Sequence, residues 1–369
     1  MKLTLLGHDD RYAVEQLQLA LFPEGTEGEA VSSLHRGKIW LTATAKITMD
    51  GQTAHASRRL KAAEETVRLR RQMLQQAYYL AAIQLLPSLP AWGALAGVRP
   101  TKITTKHMLE GGTTKSADKL LKDVYYVTSE RRKLAIDCSI STVNAANLLD
   151  KDDISLYVGI PFCPTRCTYC SFVSRTIGRK TELLNPYLAA LLKEIEVSGK
   201  LLRESGKHVR TVYIGGGTPT AIPCAELERI LDAAQKAFPG AVEWTVEAGR
   251  PDTFSDEMLA VLWENGVNRI SINPQTFSDS VLQEIGRRHT AELTVEKYRD
   301  AREIGFDSIN MDLIAALPGE TPEIFSETLN KVVSLADGKN VAYSAVRPSK
   351  LNGVYQISEP GHIKWLSQN

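Results

Sequence analysis

Six apolar, β-rich runs alternate with helical stretches over residues 153–346, and no other feature constrains the fold of this chain as tightly. The runs fall at residues 154–160, 211–214, 242–246, 268–272, 308–317 and 340–346. Between them, residues 186–204, 223–238, 255–265, 278–285 with 293–304, and 321–335 have helical composition and spacing. Strand, helix, strand in regular repetition implies parallel strands joined by right-handed crossovers. Six such units build an α/β sheet or a partial (β/α)6 barrel, short of the eight units of a closed one. In folds of this kind ligands sit at the carboxyl ends of the strands. The polar and glycine-rich residues that look functional fall there, and the most conspicuous group follows the first strand.

Residues 1–150 have a different texture and are expected to form a small α+β domain. Residues 1–6 suggest a strand and 13–22 a short helix. Residues 38–49 and 53–59 suit a hairpin turning at Asp50-Gly51. Residues 61–86 lack Gly and Pro and favour a long helix, which Pro87 and Pro90 end. Further helices are expected at 116–126 and 129–147. The basic residues over 58–71 are taken as a solvated helix face.

Lys and Arg number 44 against 43 Asp and Glu, a formal net charge of +1. This gives no electrostatic case for a nucleic-acid partner, which usually demands a basic excess. The N-terminal apolar run is too short for a signal peptide, and no stretch reaches the roughly 20 apolar residues of a membrane helix. A cytoplasmic protein without a membrane span is the expectation. Of five cysteines, Cys163, Cys167 and Cys170 lie within eight positions, whereas Cys138 and Cys224 are isolated. A secreted disulfide framework spreads an even number along a short chain, so clustered thiols point to metal.

The segment from Tyr157 to Phe172 contains C-x3-C-x2-C. Thiolates are soft ligands that suit both iron–sulfur clusters and zinc. Three on one loop suit a [4Fe–4S] cubane with one iron open to the amino and carboxylate groups of S-adenosylmethionine (SAM). Structural zinc takes four protein ligands, commonly in paired knuckles, and the sequence shows no second knuckle. Three ordinary core cysteines in one Pro-containing loop form a further alternative.

These residues resemble a known family. Residues 156–346 are similar to the radical SAM core of the oxygen-independent coproporphyrinogen III dehydrogenases. Tyr157-Val158-Gly159-Ile160-Pro161-Phe162-Cys163 and Gly97-Val98-Arg99-Pro100-Thr101-Lys102 look most like the HemZ-type branch. The resemblance implies cluster ligation by Cys163, Cys167 and Cys170. It implies SAM contacts at Tyr157, Tyr169, Gly216, Gly217, Thr218, Glu247, Gln275, Arg287 and Asp312, divided in the family between two SAM molecules. Each position also has an ordinary structural reading. Gly215-Gly216-Gly217-Thr218 suits a tight strand-to-helix turn. Tyr157 and Tyr169 suit core aromatics. Glu247 and Asp312 are charges in apolar strands that need partners. Gln275 can both donate and accept, and Arg287 can pair with a carboxylate. Arg288 and His289 are taken as exposed residues near a helix end.

Two departures from the family matter. Phe172 stands where the dehydrogenases have a fourth cysteine, a substitution shared with the heme-chaperone branch and the HemZ type. Residues 348–369 fit the family pattern poorly and suggest a divergent or truncated tail after a core at 151–347. The resemblance implies oxidative decarboxylation of coproporphyrinogen III to protoporphyrinogen IX in heme biosynthesis, or else heme binding by a chaperone-like protein. The partners it implies are a tetrapyrrole, coproporphyrinogen III or heme, and a reduced flavodoxin-type electron donor. Arg99, Lys102 and Arg175 are candidates for holding substrate carboxylates.

Overall fold

Alternate burial along residues 29–49 builds the first sheet of the structure, a computed structural model that describes residues 1–22, 25–95, 99–177, 181–335, 341–346, 348–351 and 354–357. The chain divides into two compact units, Met1–Leu149 and Asp150–Asn369.

In the first unit, β1 (Lys2–Leu6) leads to α1 (Arg11–Leu21), β2 (Glu29–Arg36), β3 (Trp40–Met49) and β4 (Gln52–Lys61). The sheet order is β1-β2-β3-β4, parallel at its first pair and antiparallel after that. The β3–β4 hairpin turns at Asp50 and Gly51, both at positive φ, and Met49 pairs with Gln52 as the two-residue turn requires. The helix expected over 61–86 starts later. Lys61 still pairs with Trp40, and Thr66 caps α2 (Val67–Ala82) by accepting from the Leu69 amide. Val14, Leu17 and Leu21 of α1 and Leu74, Ala77 and Tyr78 of α2 join Leu41, Ala43, Ala45 and Ile47 of β3 in one core. Then α3 (Pro100–Leu109), opened by proline at its first turn, α4 (Thr114–Tyr125) and α5 (Ser129–Ala146) follow. Sequence reading missed β2 and α3. Gly97 and Val98 lie outside the described residues.

In the second unit the strands are β5 (Asp153–Ile160), the short β6 (Phe162–Cys163) and β7 (Arg175–Thr176), β8 (His208–Gly216), β9 (Glu243–Gly249), β10 (Arg269–Ile272), β11 (Ser308–Ile314) and β12 (Val341–Val346). Helices α6 (Leu184–Glu204), α7 (Cys224–Ala237), α8 (Asp256–Glu264), α9 (Asp279–Glu284), α10 (Ala291–Ile304) and α11 (Pro322–Leu335) alternate with them. The main sheet runs β12-β11-β10-β9-β8-β5, parallel throughout and in sequential order. This is the winding of a (β/α) barrel left open after six strands. Position 340, the expected start of the last strand, lies outside the described residues. Beyond it, β13 (Pro348–Leu351) and β14 (Val354–Ile357) pair antiparallel. No described helix is long and apolar enough to cross a membrane.

The two faces of this sheet differ in chemistry because strand side chains alternate. Val158 and Ile160, Val212 and Ile214, Val246, Ile270 and Ile272, and Ile309, Met311 and Leu313 join the helices in one apolar core. Burial of each such side chain is worth ~1.5–3 kcal/mol. The intervening positions put Tyr157, Tyr213, Glu247, Ser271 and Asp312 on the other face.

Candidate functional site

The cysteine loop leaves β5 and is fastened on two sides. Its first turn pairs β6 with β7: the Arg175 amide donates to the Pro161 carbonyl and the Ile177 amide to that of Cys163, both at 2.8 Å. Its tip rests on the end of α9. The Thr168 amide donates to the Ile285 carbonyl at 3.2 Å, and Thr165 Oγ1 to the Gly286 carbonyl at 3.4 Å. Tyr169 is buried among Val281, Leu282, Ile285, Ile314 and Leu317, with Cys167 and Cys170 packed alongside. The thiols of Cys163, Cys167 and Cys170 are half-buried and form no disulfide. Burial pushes the Cys170 thiol up. Among the described residues, no three His, Cys, Asp or Glu side chains converge as a single bound ion would need.

The glycine turn after β8 sits directly against this loop. The Gly217 amide donates to the Ile160 carbonyl at 2.8 Å, and the Thr218 amide to that of Phe162 at 2.7 Å. Thr218 Oγ1 reaches Cys163 Sγ at 3.6 Å. Gly216 has φ +111°, which favours glycine. A Cβ on Gly217 would stand 2.4 Å from the Phe162 carbonyl oxygen. The close approach these glycines allow is therefore to the strand carrying Cys163, in addition to any ligand.

On the polar face, Tyr157 stacks on its register partner Tyr213 at 5.7 Å between ring centroids. Tyr213 donates its phenol proton to Glu247 Oε1 at 2.5 Å, and the Gly216 amide donates to Oε2 at 3.3 Å. Burial lifts the Glu247 carboxyl above its usual range; the two hydrogen bonds oppose this and nearby Asp312 adds to it. Burial, then Glu247, push the Tyr213 phenol up in turn.

Gln275 and Asp312 are brought together at the end of β10 and within β11. Gln275 sits at φ +68°, its amide donating to the Asp312 carbonyl at 3.0 Å. Gln275 is 6% exposed, yet its Oε1 has no hydrogen-bond partner among the described residues. Asn310 donates to Asp312 Oδ1 at 2.9 Å. Arg287 is buried and donates to Tyr169 Oη and the Asn273 carbonyl. Among the described residues no carboxylate stands in ion-pair range of it. A buried guanidinium of that kind suits an anionic ligand.

Three of the residues around the loop went unread in the sequence. Arg250 is buried, donates from Nη1 to Thr165 Oγ1 at 2.6 Å, and lies 4.0 Å from Cys167 Sγ. Asp252 holds its Nε and Nη2 at 3.1 and 2.9 Å. Tyr213 is the partner of Glu247. A fourth was misread: His289 is buried, with Nδ1 3.7 Å from Asp252 Oδ1, whereas Arg288 is exposed. The short link from Gly286 to α10 folds His289 inward against Asp252. Tyr157, whose alternative was a core position, is 62% exposed. Arg175 lies exposed in β7, and Arg99 and Lys102 lie exposed at the start of α3 in the first unit.

Residues 157–332 match the Radical SAM superfamily. The chain is 40% identical over 250 residues to the oxygen-independent coproporphyrinogen-III oxidase-like protein HemZ of Bacillus subtilis, covering 66% of this chain and 50% of that protein. It is 34% identical over 212 residues to the heme chaperone HemW of the same organism, covering 57% of this chain and 54% of that one. Among solved structures it is similar to coproporphyrinogen III oxidase (HemN) from Escherichia coli. That match has 29% identity and a TM-score of 0.51, over 62% of this chain and 54% of the other. The chain thus spans about half the length of the curated relatives it matches.

Proposed function

Because residues 157–332 are a radical SAM domain, we propose that Cys163, Cys167 and Cys170 hold a [4Fe–4S] cluster and that SAM binds beside it for oxidation of a tetrapyrrole. The observation that carries this is the joint placement of the thiol loop, the glycine turn and Arg287 at the carboxyl ends of the parallel strands. Soft thiolates suit a cubane, and three on one loop with no paired knuckle suit it better than a structural zinc, which takes four protein ligands. Bound there, cluster and SAM would supply one-electron cleavage of the sulfonium and a 5′-deoxyadenosyl radical.

This chain's own residues supply the binding. Arg287 offers its fixed guanidinium to a carboxylate. Glu247 and the unpartnered Gln275 Oε1 accept hydrogen bonds from ammonium or hydroxyl groups, and Thr218 donates to the sulfur of Cys163. Tyr169 packs the loop onto α9, fixing two of the three thiols. The Tyr157–Tyr213 stack offers a flat apolar surface on the open face of the sheet.

The activity these features support best is oxidative decarboxylation of two propionates of coproporphyrinogen III to vinyl groups, with a reduced flavodoxin-type protein as electron donor for SAM cleavage and the electron released with each CO2 passing to a separate one-electron acceptor. The test is anaerobic purification with iron and sulfide analysis, then incubation of the reduced protein with SAM and coproporphyrinogen III. Four irons per chain, release of methionine and 5′-deoxyadenosine, CO2 and protoporphyrinogen IX are expected. A protein without iron, or a cluster that leaves SAM intact, overturns the radical SAM assignment. The similarity to the heme chaperone favours a second possibility, heme binding without turnover, with which Phe172 is compatible. Cleavage of SAM with stoichiometric heme retention and no CO2 selects it.

A further inference from the structure

We propose that Arg250 is a positioning residue of the cysteine loop whose guanidinium, held from behind by Asp252, makes the bound cluster easier to reduce. The inference rests on the cluster assignment above.

Arg250 follows β9 and is 3% exposed, so each of its N–H groups needs a partner inside the protein. Two of its three nitrogens, Nε and Nη2, are spent side-on against the Asp252 carboxylate. The third faces the loop. Its Nη1 donates to Thr165 Oγ1 and points at Cys167 Sγ, at the long end of an N–H···S contact. Thr165 in turn donates to the Gly286 carbonyl, which makes it the joint between Arg250 and the end of α9. His289 closes the far side of Asp252.

The pair therefore lies as an oriented dipole. Its positive end faces a thiolate ligand, and its negative end faces away, toward His289. Hydrogen bonds to cluster sulfurs and nearby charge are the levers a protein has over a cluster's reduction potential. When one electron enters from an external reductant, the cluster gains one negative charge, and a cation on the sulfur side stabilises the reduced form. An ordinary buried ion pair bracing the turn at Pro251–Thr253 would do none of this.

The two explanations separate on sign. In the reconstituted protein, dithionite titration followed by electron paramagnetic resonance reads the midpoint potential. Arg250→Gln is expected to lower the ratio of reduced to oxidised cluster about tenfold at a fixed solution potential, ~59 mV for a one-electron couple. Asp252→Asn leaves the guanidinium charge without its offset and is expected to raise that ratio severalfold at the same solution potential. Thr165→Val keeps the charge and loosens the loop. It is expected to speed hydrogen exchange over residues 164–170 in the cluster-free protein while leaving the potential near that of the parent. Potentials of the two charge variants that shift in the same direction, or not at all, in protein that retains its iron overturn the inference. So does unchanged exchange in Thr165→Val. A parent protein that takes up no iron instead overturns the cluster assignment, a result visible before any variant is compared.

Discussion

Gly217→Ala is the substitution that the geometry of the glycine turn penalises most directly. The new Cβ would stand 2.4 Å from the Phe162 carbonyl oxygen and 2.9 Å from the carbonyl carbon and nitrogen of the same residue. An ordinary contact is at least 3.4 Å, so about 1 Å of separation must be found between two stretches of backbone. Neither stretch is free to yield, since the Gly217 and Thr218 amides are bonded to the Ile160 and Phe162 carbonyls. Overpacking against backbone belongs at the upper end of its usual cost, ~3 kcal/mol. Loss of glycine entropy in the unfolded chain returns ~0.4–1 kcal/mol. The net is about 2 kcal/mol, or about a 30-fold larger opening constant at ~1.4 kcal/mol per decade. Gly159→Ala in neighbouring β5 is the matched control, because its Cβ meets only the Tyr157 ring at an ordinary 3.4 Å. Hydrogen exchange by mass spectrometry reads the two units of the chain separately. The slowest β5 and β8 amides are expected to exchange about 30-fold faster in Gly217→Ala and about as in the parent in Gly159→Ala. Acceleration of less than about threefold in Gly217→Ala, or equal effects at both sites, would refute the reasoning. Because Cys163 follows Phe162, weaker iron retention in the reconstituted variant is expected as well.

Burial pushes the Glu320 carboxyl up to about 7. A raised carboxyl binds its proton more tightly when folded, so stability is present below the unfolded value near 4.5 and is lost as pH rises through 7. The loss is ~3 kcal/mol at ~1.4 kcal/mol per pH unit; in Glu320→Gln, denaturation of the second unit followed across pH 4–8 should lose that slope. Tyr213→Phe removes a hydrogen bond that holds the Glu247 carboxyl down, so Glu247 should titrate at higher pH. A SAM-binding isotherm whose pH dependence is unchanged in Tyr213→Phe would argue that Glu247 takes no part in binding. Phe306→Ala empties a fully buried site packed edge-on against Trp263 and should cost ~3–5 kcal/mol, read as faster exchange across the second unit.

The parallel sheet was legible because each strand carries its own alternation. Val158 and Ile160 flank Gly159, Val212 and Ile214 flank Tyr213, and Met311 and Leu313 flank Asp312. The same alternation separates the apolar from the polar face, so Tyr213 was findable as the inward partner of Glu247. The cysteine loop and glycine turn stand out as motifs, and the resemblance points to Tyr169 and Arg287, which the structure brings to that loop. Arg250, Asp252 and His289 were not legible, since each looks like a surface charge in a connecting segment. Only the return of the chain after α9 brings His289 beneath Asp252, a contact with no local signature. In the first unit, β2 was missed because its buried positions include Ser32 and small Ala30, which give little apolar signal. The start of α2 was misplaced because Ala62-Ala63-Glu64-Glu65 has helical composition but follows directly from a paired strand end.

The seat of the cysteine loop has a consequence for the order in which the protein matures. Thr165 rests on Gly286, 121 residues further along the chain. During synthesis the three thiols emerge long before the helix end that fixes them has been made. Until α9 has been added and docked, the loop has its own sequence but no floor, and closing so long a span is slow compared with forming local structure. Iron and sulfide delivered early would meet a mobile tripod; delivered late, they would meet a shaped one. Assembly of the proposed cluster would thus be coupled to completion of the fold around the loop.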